Sequence, residues 1–123
     1  MPSAAAHPSL KEPSKQYRIN VQGKELQIPL RDILYFETGR HVTLIHTLTD
    51  TISITKVLSE VCEDFEQNPE FLKVGRSYLI NRLYVRNVDQ AEIEMMNSAV
   101  IPIPVRLQRE IRQQLKEDRF SKT

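Results

Sequence analysis

The sequence predicts a mainly β domain with one short helix in the middle of the chain and a second helix near its end. Short segments with alternating apolar and polar residues are separated by glycine, proline, asparagine and aspartate, which is typical of strands joined by turns. Only two segments have the helical period, and strands and helices do not alternate as in a doubly wound sheet. With 123 residues, 40% hydrophobic and 27% charged, the chain is expected to form one soluble domain.

The first sixteen residues are expected to lie outside the folded core. Residues 1–16 hold three of the seven prolines and many small residues, which favours a flexible leader or linker, or the boundary of a piece of a longer protein. The start lacks the apolar core of a secretory signal, and no apolar run reaches the ~20 residues of a membrane helix. A cytoplasmic location without membrane contact is therefore expected.

Strands dominate the first half of the folded region. The predicted strands there are residues 17–22, 25–29, 33–37, 41–48 and 51–54. The first two flank Gly23 and Lys24, which predicts a hairpin with a tight turn at that pair. The third is an apolar run, which suits a buried strand, and Thr49 with Asp50 is expected to join the last two.

A short amphipathic helix is predicted at residues 57–65 and is expected to end at Asn68 and Pro69. Its apolar face consists of Val57, Leu58, Val61, Cys62 and Phe65. Its opposite face carries Glu60, Glu63, Asp64 and Glu66. The helix should therefore pack on the core with one side and present acidic side chains on the other.

The second half is predicted to contain four strands and a terminal helix. The strands are residues 71–74, 83–88, 91–96 and 100–103, the last two joined by a hairpin turn at Asn97 and Ser98. Residues 76–81 have no clean period and are interpreted as a turn or a single helical turn. Apolar residues at four-residue spacing predict a helix over about residues 105–116, with Pro104 at its start.

The sequence contains no motif of a catalytic site. Its three glycines are isolated and form no phosphate-binding loop, and neither G-x-S-x-G nor H-E-x-x-H is present. Glu37 and His41 come nearest to an acid–base pair, but no third group completes a triad. Cys62 and the three scattered histidines lack metal-ligand spacing, so no metal, cofactor or enzyme activity is expected.

The charges are segregated along the chain although the net charge is only +1. Residues 57–71 carry acids without bases, residues 72–86 carry bases without acids, and bases outnumber acids from Pro104 onward. Such segregation can present one basic face to a nucleic acid. The simpler interpretation is a set of solvated surface charges.

Four segments in order resemble the LytTR family of bacterial DNA-binding domains. They are Ile33-Leu-Tyr-Phe-Glu37, the helix from Val57 to Phe65, Phe71-Leu-Lys-Val-Gly-Arg-Ser-Tyr-Leu-Ile-Asn81, and Pro102-Ile-Pro-Val-Arg106. The resemblance covers residues 17–117 and leaves residues 118–123 as a C-terminal tail. It implies a fold of elongated, stacked antiparallel sheets with short helices, and it implies that loops read two successive major grooves.

The resemblance also implies a role and partners. Family members bind double-stranded promoter DNA, usually at direct repeats, and regulate transcription as effector domains of two-component response regulators or as stand-alone proteins. A weak homodimer formed on DNA is the corresponding expectation. The alternative is a protein-interaction module without DNA affinity, which a flat β surface and an arginine-bearing helix would also suit.

Seven residues are candidate DNA contacts, and three of them are carried over from the family. The resemblance places His41, Arg76 and Arg106 at base-contacting positions, and Arg40, Lys56, Lys73 and Ser77 are plausible phosphate contacts. Each base-contacting candidate has a simpler interpretation: a hairpin-tip histidine, a structural arginine that bonds a carbonyl, and a solvated first-turn arginine.

The chain departs from the family pattern at a few positions. Val105 stands where the family often has serine, Gly75 replaces a larger residue, and Lys73 is displaced by one position from the usual arginine. Asn81 is expected to shape a turn rather than to contact DNA.

Overall fold

The computed structural model describes residues 15–121, with side chains described as far as Lys116. Residues 1–14 of the predicted leader lie outside the described residues. The chain divides into two compact units, Met1–Ile33 and Leu34–Thr123.

The first unit contains a β-hairpin and a 3₁₀ turn. Strand β1 (Gln16–Val21) pairs antiparallel with β2 (Lys24–Pro29), and the 3₁₀ turn Leu30–Asp32 follows. The turn residues Gln22 and Gly23 have φ of 53° and 80°, the left-handed pair of a two-residue hairpin turn. The predicted hairpin is confirmed, but its turn begins one residue earlier, because strand alternation does not reveal which pair adopts positive φ.

The next five strands form one sheet. They are β3 (Ile33–Thr38), β4 (Thr43–Thr47), β5 (Thr51–Ile54), β6 (Phe71–Val74) and β7 (Tyr78–Asn81). Their order across the sheet is β5-β4-β3-β7-β6, so β3 lies at the centre. β3 pairs antiparallel with β7, and β7 with β6.

Strand β7 corrects the interpretation of residues 76–81 as a turn or a helical turn. Only Gly75, Arg76 and Ser77 form the turn, and Tyr78 begins the strand. The sequence lacks alternation here because Leu79 and Ile80, on opposite faces of the sheet, are both buried. A strand covered on both sides does not show a period of two.

A three-stranded sheet and two α-helices complete the described chain. Strands β8 (Val85–Val88), β9 (Glu92–Met95) and β10 (Val100–Pro102) are ordered β10-β9-β8, all antiparallel. Helix α1 is Leu58–Asp64, and α2 is Gln108–Ser121.

Two predicted elements begin as 3₁₀ turns. The strand expected at residues 83–88 starts with the 3₁₀ turn Arg82–Tyr84, where the Asn81 side chain accepts a hydrogen bond from the Leu83 N–H at 3.0 Å. The expected turn-shaping role of Asn81 is thus confirmed. The 3₁₀ turn Val105–Leu107 precedes α2, which extends past the predicted end at Lys116.

The five-stranded sheet is covered by apolar groups on both faces. On the α1 face, Phe65 packs its ring 5.1 Å from Phe36 and 4.5 Å from Phe71, measured between ring centroids. The other face shares one core with the three-stranded sheet and α2. The buried residues of this shared core are Leu34, Tyr35, Leu72, Val74, Ile80, Ile93, Met95, Ile101, Ile103, Ile111 and Leu115.

The mainly β fold class is confirmed, with antiparallel sheets and two α-helices in the described part of the chain. In residues 15–121, neither α-helix is both long enough and apolar enough to cross a membrane.

Candidate nucleic-acid interface

Three exposed turns adjoin one another at one edge of the second unit. They are residues 39–42 between β3 and β4, residues 75–77 between β6 and β7, and residues 104–106 before α2; together they are called the three-turn edge. Thr38 connects the first turn to the second through hydrogen bonds to the carbonyls of Arg76 and Ser77. Gly75 lies against Pro104, which connects the second turn to the third.

The first turn holds Arg40 and His41 out toward solvent. The Gly39 N–H donates to the Val42 carbonyl at 2.8 Å, which closes the turn. His41 has a φ of 64°, in the left-handed region that histidine adopts more readily than most residues. The sequence pattern predicted that a strand begins at His41; this residue lies instead at the tip of the turn, and β4 begins at Thr43.

The second turn fixes its backbone and leaves its side chains exposed. Thr38 donates its N–H to the Ser77 carbonyl at 2.9 Å and its hydroxyl to the Arg76 carbonyl at 3.3 Å. Gly75 has a φ of +68°, and a Cβ there would lie 2.9 Å from the Pro104 Cγ. The departure from the family at Gly75 therefore has a physical reason: glycine adopts this conformation and this contact without strain.

The Arg76 guanidinium has no structural role in the described residues. Among the side chains described, through Lys116, it makes no hydrogen bond or ion pair, and only the Arg76 backbone carbonyl accepts a hydrogen bond. The simpler interpretation of Arg76, a structural arginine that bonds a carbonyl, is therefore not supported. A charged, exposed side chain on a fixed backbone is suited to binding an external partner.

The third turn is anchored on both sides and exposed between its anchors. Ile103 is buried and Leu107 packs against the shared core, and the Leu107 N–H donates to the Pro104 carbonyl at 2.8 Å. Between them, Val105 and Arg106 point to solvent, with Val105 84% exposed. A shallow groove of about 280 Å³ lies between this turn and the second one.

Two of the seven predicted residues place their charges outside the three-turn edge. The Lys56 ammonium pairs with Asp64 of α1 at 2.6 Å, although its carbonyl accepts from Thr43 beside the first turn. Lys73 is exposed on β6, and its charge acts on the Cys62 thiol. The structure thus brings together Arg40, His41, Arg76, Ser77 and Arg106.

The titratable groups beside the edge have mainly structural partners. Glu37 pairs with His46 at 2.8 Å and not with His41, the histidine nearer to it in the sequence. The Tyr35 ring stacks on His46 at 4.2 Å, and burial, then the charge of Glu37, raises the pKa of Tyr35. Burial also raises the pKa of Cys62 and outweighs the opposite effect of Lys73. That direction agrees with an inert thiol.

One feature of the surface was missed in the sequence, and a second was anticipated only as an excess of bases from Pro104 onward. Thr38 carries no motif, and its role depends on contacts with residues 38 and 39 positions further along the chain. The second feature is a basic face on α2, where Arg109, Arg112 and Lys116 line a shallow depression of about 230 Å³. Their spacing of three and four residues was a usable signal, since it places them on one face of a helix.

A mainly β domain with exposed cationic side chains on fixed turns has the features of a nucleic-acid-binding domain. Residues 23–116 match the model of the LytTr DNA-binding domain, and the chain belongs to this family.

A solved structure has the same fold. It is the LytTr DNA-binding domain of a protein described as a putative methyl-accepting/DNA response regulator from Bacillus cereus, with a TM-score of 0.65 and 15% sequence identity. The match covers 81% of this chain and 94% of that chain, and at this identity it shows the fold alone. No curated protein sequence matches the chain.

Proposed function

We propose that this domain binds double-stranded promoter DNA in a sequence-specific manner and regulates transcription, with the three-turn edge reading successive major grooves. The observation that carries the proposal is the edge itself, where separate segments of the chain place His41, Arg76 and Arg106 on adjoining exposed turns. Membership of a DNA-binding family supports the choice of ligand.

Base reading is assigned to His41, Arg76 and Arg106. An arginine can donate two hydrogen bonds to O6 and N7 of guanine, and such a pair contributes about 1–3 kcal/mol of discrimination against other bases. The backbone hydrogen bonds from Thr38 and the anchors around Arg106 hold both arginine turns before DNA binds. Less conformational freedom is then lost on binding.

Phosphate contacts are assigned to Arg40, Ser77, Lys56 and Lys73, with different weights. Arg40 and Ser77 lie in the edge and are exposed. Lys56 is already paired with Asp64, so its contribution should be smaller. Such contacts position the domain on the duplex without reading its sequence.

The wider setting of the proposal follows the family. We assign residues 17–117 to the domain and residues 118–123 to a C-terminal tail, into which α2 continues as far as Ser121. We place the protein in the bacterial cytoplasm as the effector of a two-component response regulator or as a stand-alone regulator. Direct repeats in the promoter would hold two copies, which form a weak dimer only on DNA. Binding, not catalysis, is the proposed activity.

The test is selection from a randomised duplex pool, followed by fluorescence anisotropy across a range of salt concentrations. A repeated motif about one helical turn apart should be enriched, and affinity should fall steeply with salt because counterions are released. Arg76→Ala and Arg106→Ala should each weaken specific binding about 5- to 150-fold while the protein stays folded. Arg18→Ala, an exposed arginine on β1, is the matched control.

The alternative function, a protein-interaction module, is favoured by a different result. No enriched motif from a folded protein, or an affinity unchanged in both Arg76→Ala and Arg106→Ala, would overturn the assignment of the edge to DNA. Partner binding that is insensitive to salt would then identify a protein interface.

A further inference from the structure

Val105 is the most exposed of the large apolar side chains in the described residues. It is 84% exposed, whereas Leu48, Val57, Leu83, Met96 and Val100 are between 49% and 56% exposed. It lies next to Arg106 in the third turn of the edge, at the position where the sequence resemblance to the family leads us to expect serine. A valine has no polar atom in its side chain, so it cannot replace a serine hydroxyl in a hydrogen bond.

The outward position of Val105 is fixed by the residues on either side of it. Ile103 and Leu107 are drawn toward the shared core, and Pro104 packs by Gly75, so the backbone on both sides of Val105 is fixed. As a β-branched residue, Val105 also has restricted χ1 freedom. The turn therefore presents a conformationally restricted apolar group next to Arg106, whose backbone lies in the same anchored turn.

In the major groove, thymine is the base that presents an apolar group. Thymine presents its 5-methyl group there, and proteins read it through apolar contacts. We propose that Val105 contacts the 5-methyl group of a thymine in the base step next to the guanine read by Arg106. This inference rests on the proposed function and adds a specificity-determining residue to it.

The experiment is a double-mutant cycle between the protein and the DNA. In the selected duplex, each thymine is replaced in turn by deoxyuridine, which removes only the methyl group. To locate the guanine read by Arg106, each guanine is replaced in turn by 7-deazaguanine, which lacks N7. The guanine sought is the one whose replacement weakens binding by the wild-type protein but not by Arg106→Ala. At the adjacent thymine, loss of one buried methyl should weaken binding by the wild-type protein about fourfold.

Val105→Ser should bind the thymine duplex about fourfold more weakly and should be insensitive to the deoxyuridine change. Val100→Ser, an exposed valine on β10, is the matched control and should retain the full deoxyuridine effect. Because Val105 is so exposed, the thermal midpoint of Val105→Ser should stay close to that of the wild type.

The possible failures are distinguishable. The inference is overturned if the effects of Val105→Ser and of deoxyuridine on affinity are additive, or if neither change weakens binding. If Arg76→Ala and Arg106→Ala still lose specific binding in that case, the proposed function stands. If no duplex is selected, the proposed function and this inference both fail.

Discussion

The two α-helices of the domain are both amphipathic, but their exposed faces have opposite charge. Helix α1 exposes Glu60 and Glu63, whereas α2 exposes Arg109, Lys116 and a single described acid, Glu110, and leaves Arg112 half-buried. Among the side chains described, through Lys116, no carboxylate pairs with these three cations. The net charge of +1 conceals this difference, because a near-neutral total is compatible with two strongly charged surfaces.

The positions of the two helices indicate different roles for their charges. The basic face of α2 begins at Arg109, three residues after Arg106 of the three-turn edge. Helix α1 packs its aromatic neighbour Phe65 on one face of the five-stranded sheet, and its acids would repel phosphate. We therefore expect α1 to act through packing alone and α2 to act also through its charge.

The largest effect is expected from removing the packing of α1. Phe65→Ala should lower the free energy of unfolding by about 3–5 kcal/mol, because a buried ring in contact with Phe36 and Phe71 is replaced by a cavity. Denaturant unfolding measures the change. The double variant Glu60→Gln/Glu63→Gln is the control and should change stability by less than about 1 kcal/mol; an equally large loss there would contradict a purely packing role.

The next effect is expected from neutralising the basic face of α2. Arg109→Gln, Arg112→Gln and Lys116→Gln together should weaken DNA binding about tenfold or more, because three cations that can neutralise phosphates are removed. The slope of log affinity against log salt should become shallower by about 0.9 for each phosphate that is no longer neutralised. Anisotropy titrations at several salt concentrations measure both quantities.

Neutralising α1 in the same assay completes the comparison. Glu60→Gln/Glu63→Gln should leave the salt slope unchanged, since neither acid is expected near phosphate. Equal slopes for the wild type and the α2 variant would show that α2 does not contact DNA. The DNA contacts of the domain would then be confined to the turns of the three-turn edge.

A smaller effect is expected at the turn that connects the basic elements. Gly75→Ala should destabilise the domain by about 1–2 kcal/mol, since alanine is strained at a φ of +68° and its Cβ would lie 2.9 Å from Pro104. Gly23→Ala, at a φ of +80° with no neighbour within 4 Å, isolates the backbone strain. If both variants lose the same stability, the contact with Pro104 contributes nothing, and DNA binding by Gly75→Ala should then be normal.

The sequence predicted the charge contrast and most elements, but not the contacts that organise the edge. Alternation and helical spacing depend on local exposure, so the hairpins and both helices could be read from residue patterns. Strand β7 could not, because Leu79 and Ile80 are buried on opposite faces of the sheet. The contacts from Thr38 to Arg76 and from Gly75 to Pro104 join distant segments, and no local pattern encodes such pairs.

The smallest effect is expected where the acidic and basic regions meet, at the ion pair between Lys56 and Asp64. The two side chains are 2.6 Å apart and about a third exposed, so Lys56→Met should cost less than about 1 kcal/mol of stability and change DNA affinity little. Asp64→Asn should instead tighten DNA binding slightly, because it releases the Lys56 ammonium from its ion pair and leaves the charge free for a phosphate. Anisotropy at low salt, where exposed charges are least screened, is the measurement of choice.

The double variant Lys56→Met/Asp64→Asn separates local release from a general change in net charge. If Asp64 acts by holding Lys56, the gain seen in Asp64→Asn should disappear when Lys56 is also replaced. A gain that persists in the double variant would mean that the acid repels DNA directly. In that case α1 would lie close enough to the phosphates to repel them. The two helices would then both act on DNA through their charge, with opposite sign, and α1 would not act through packing alone.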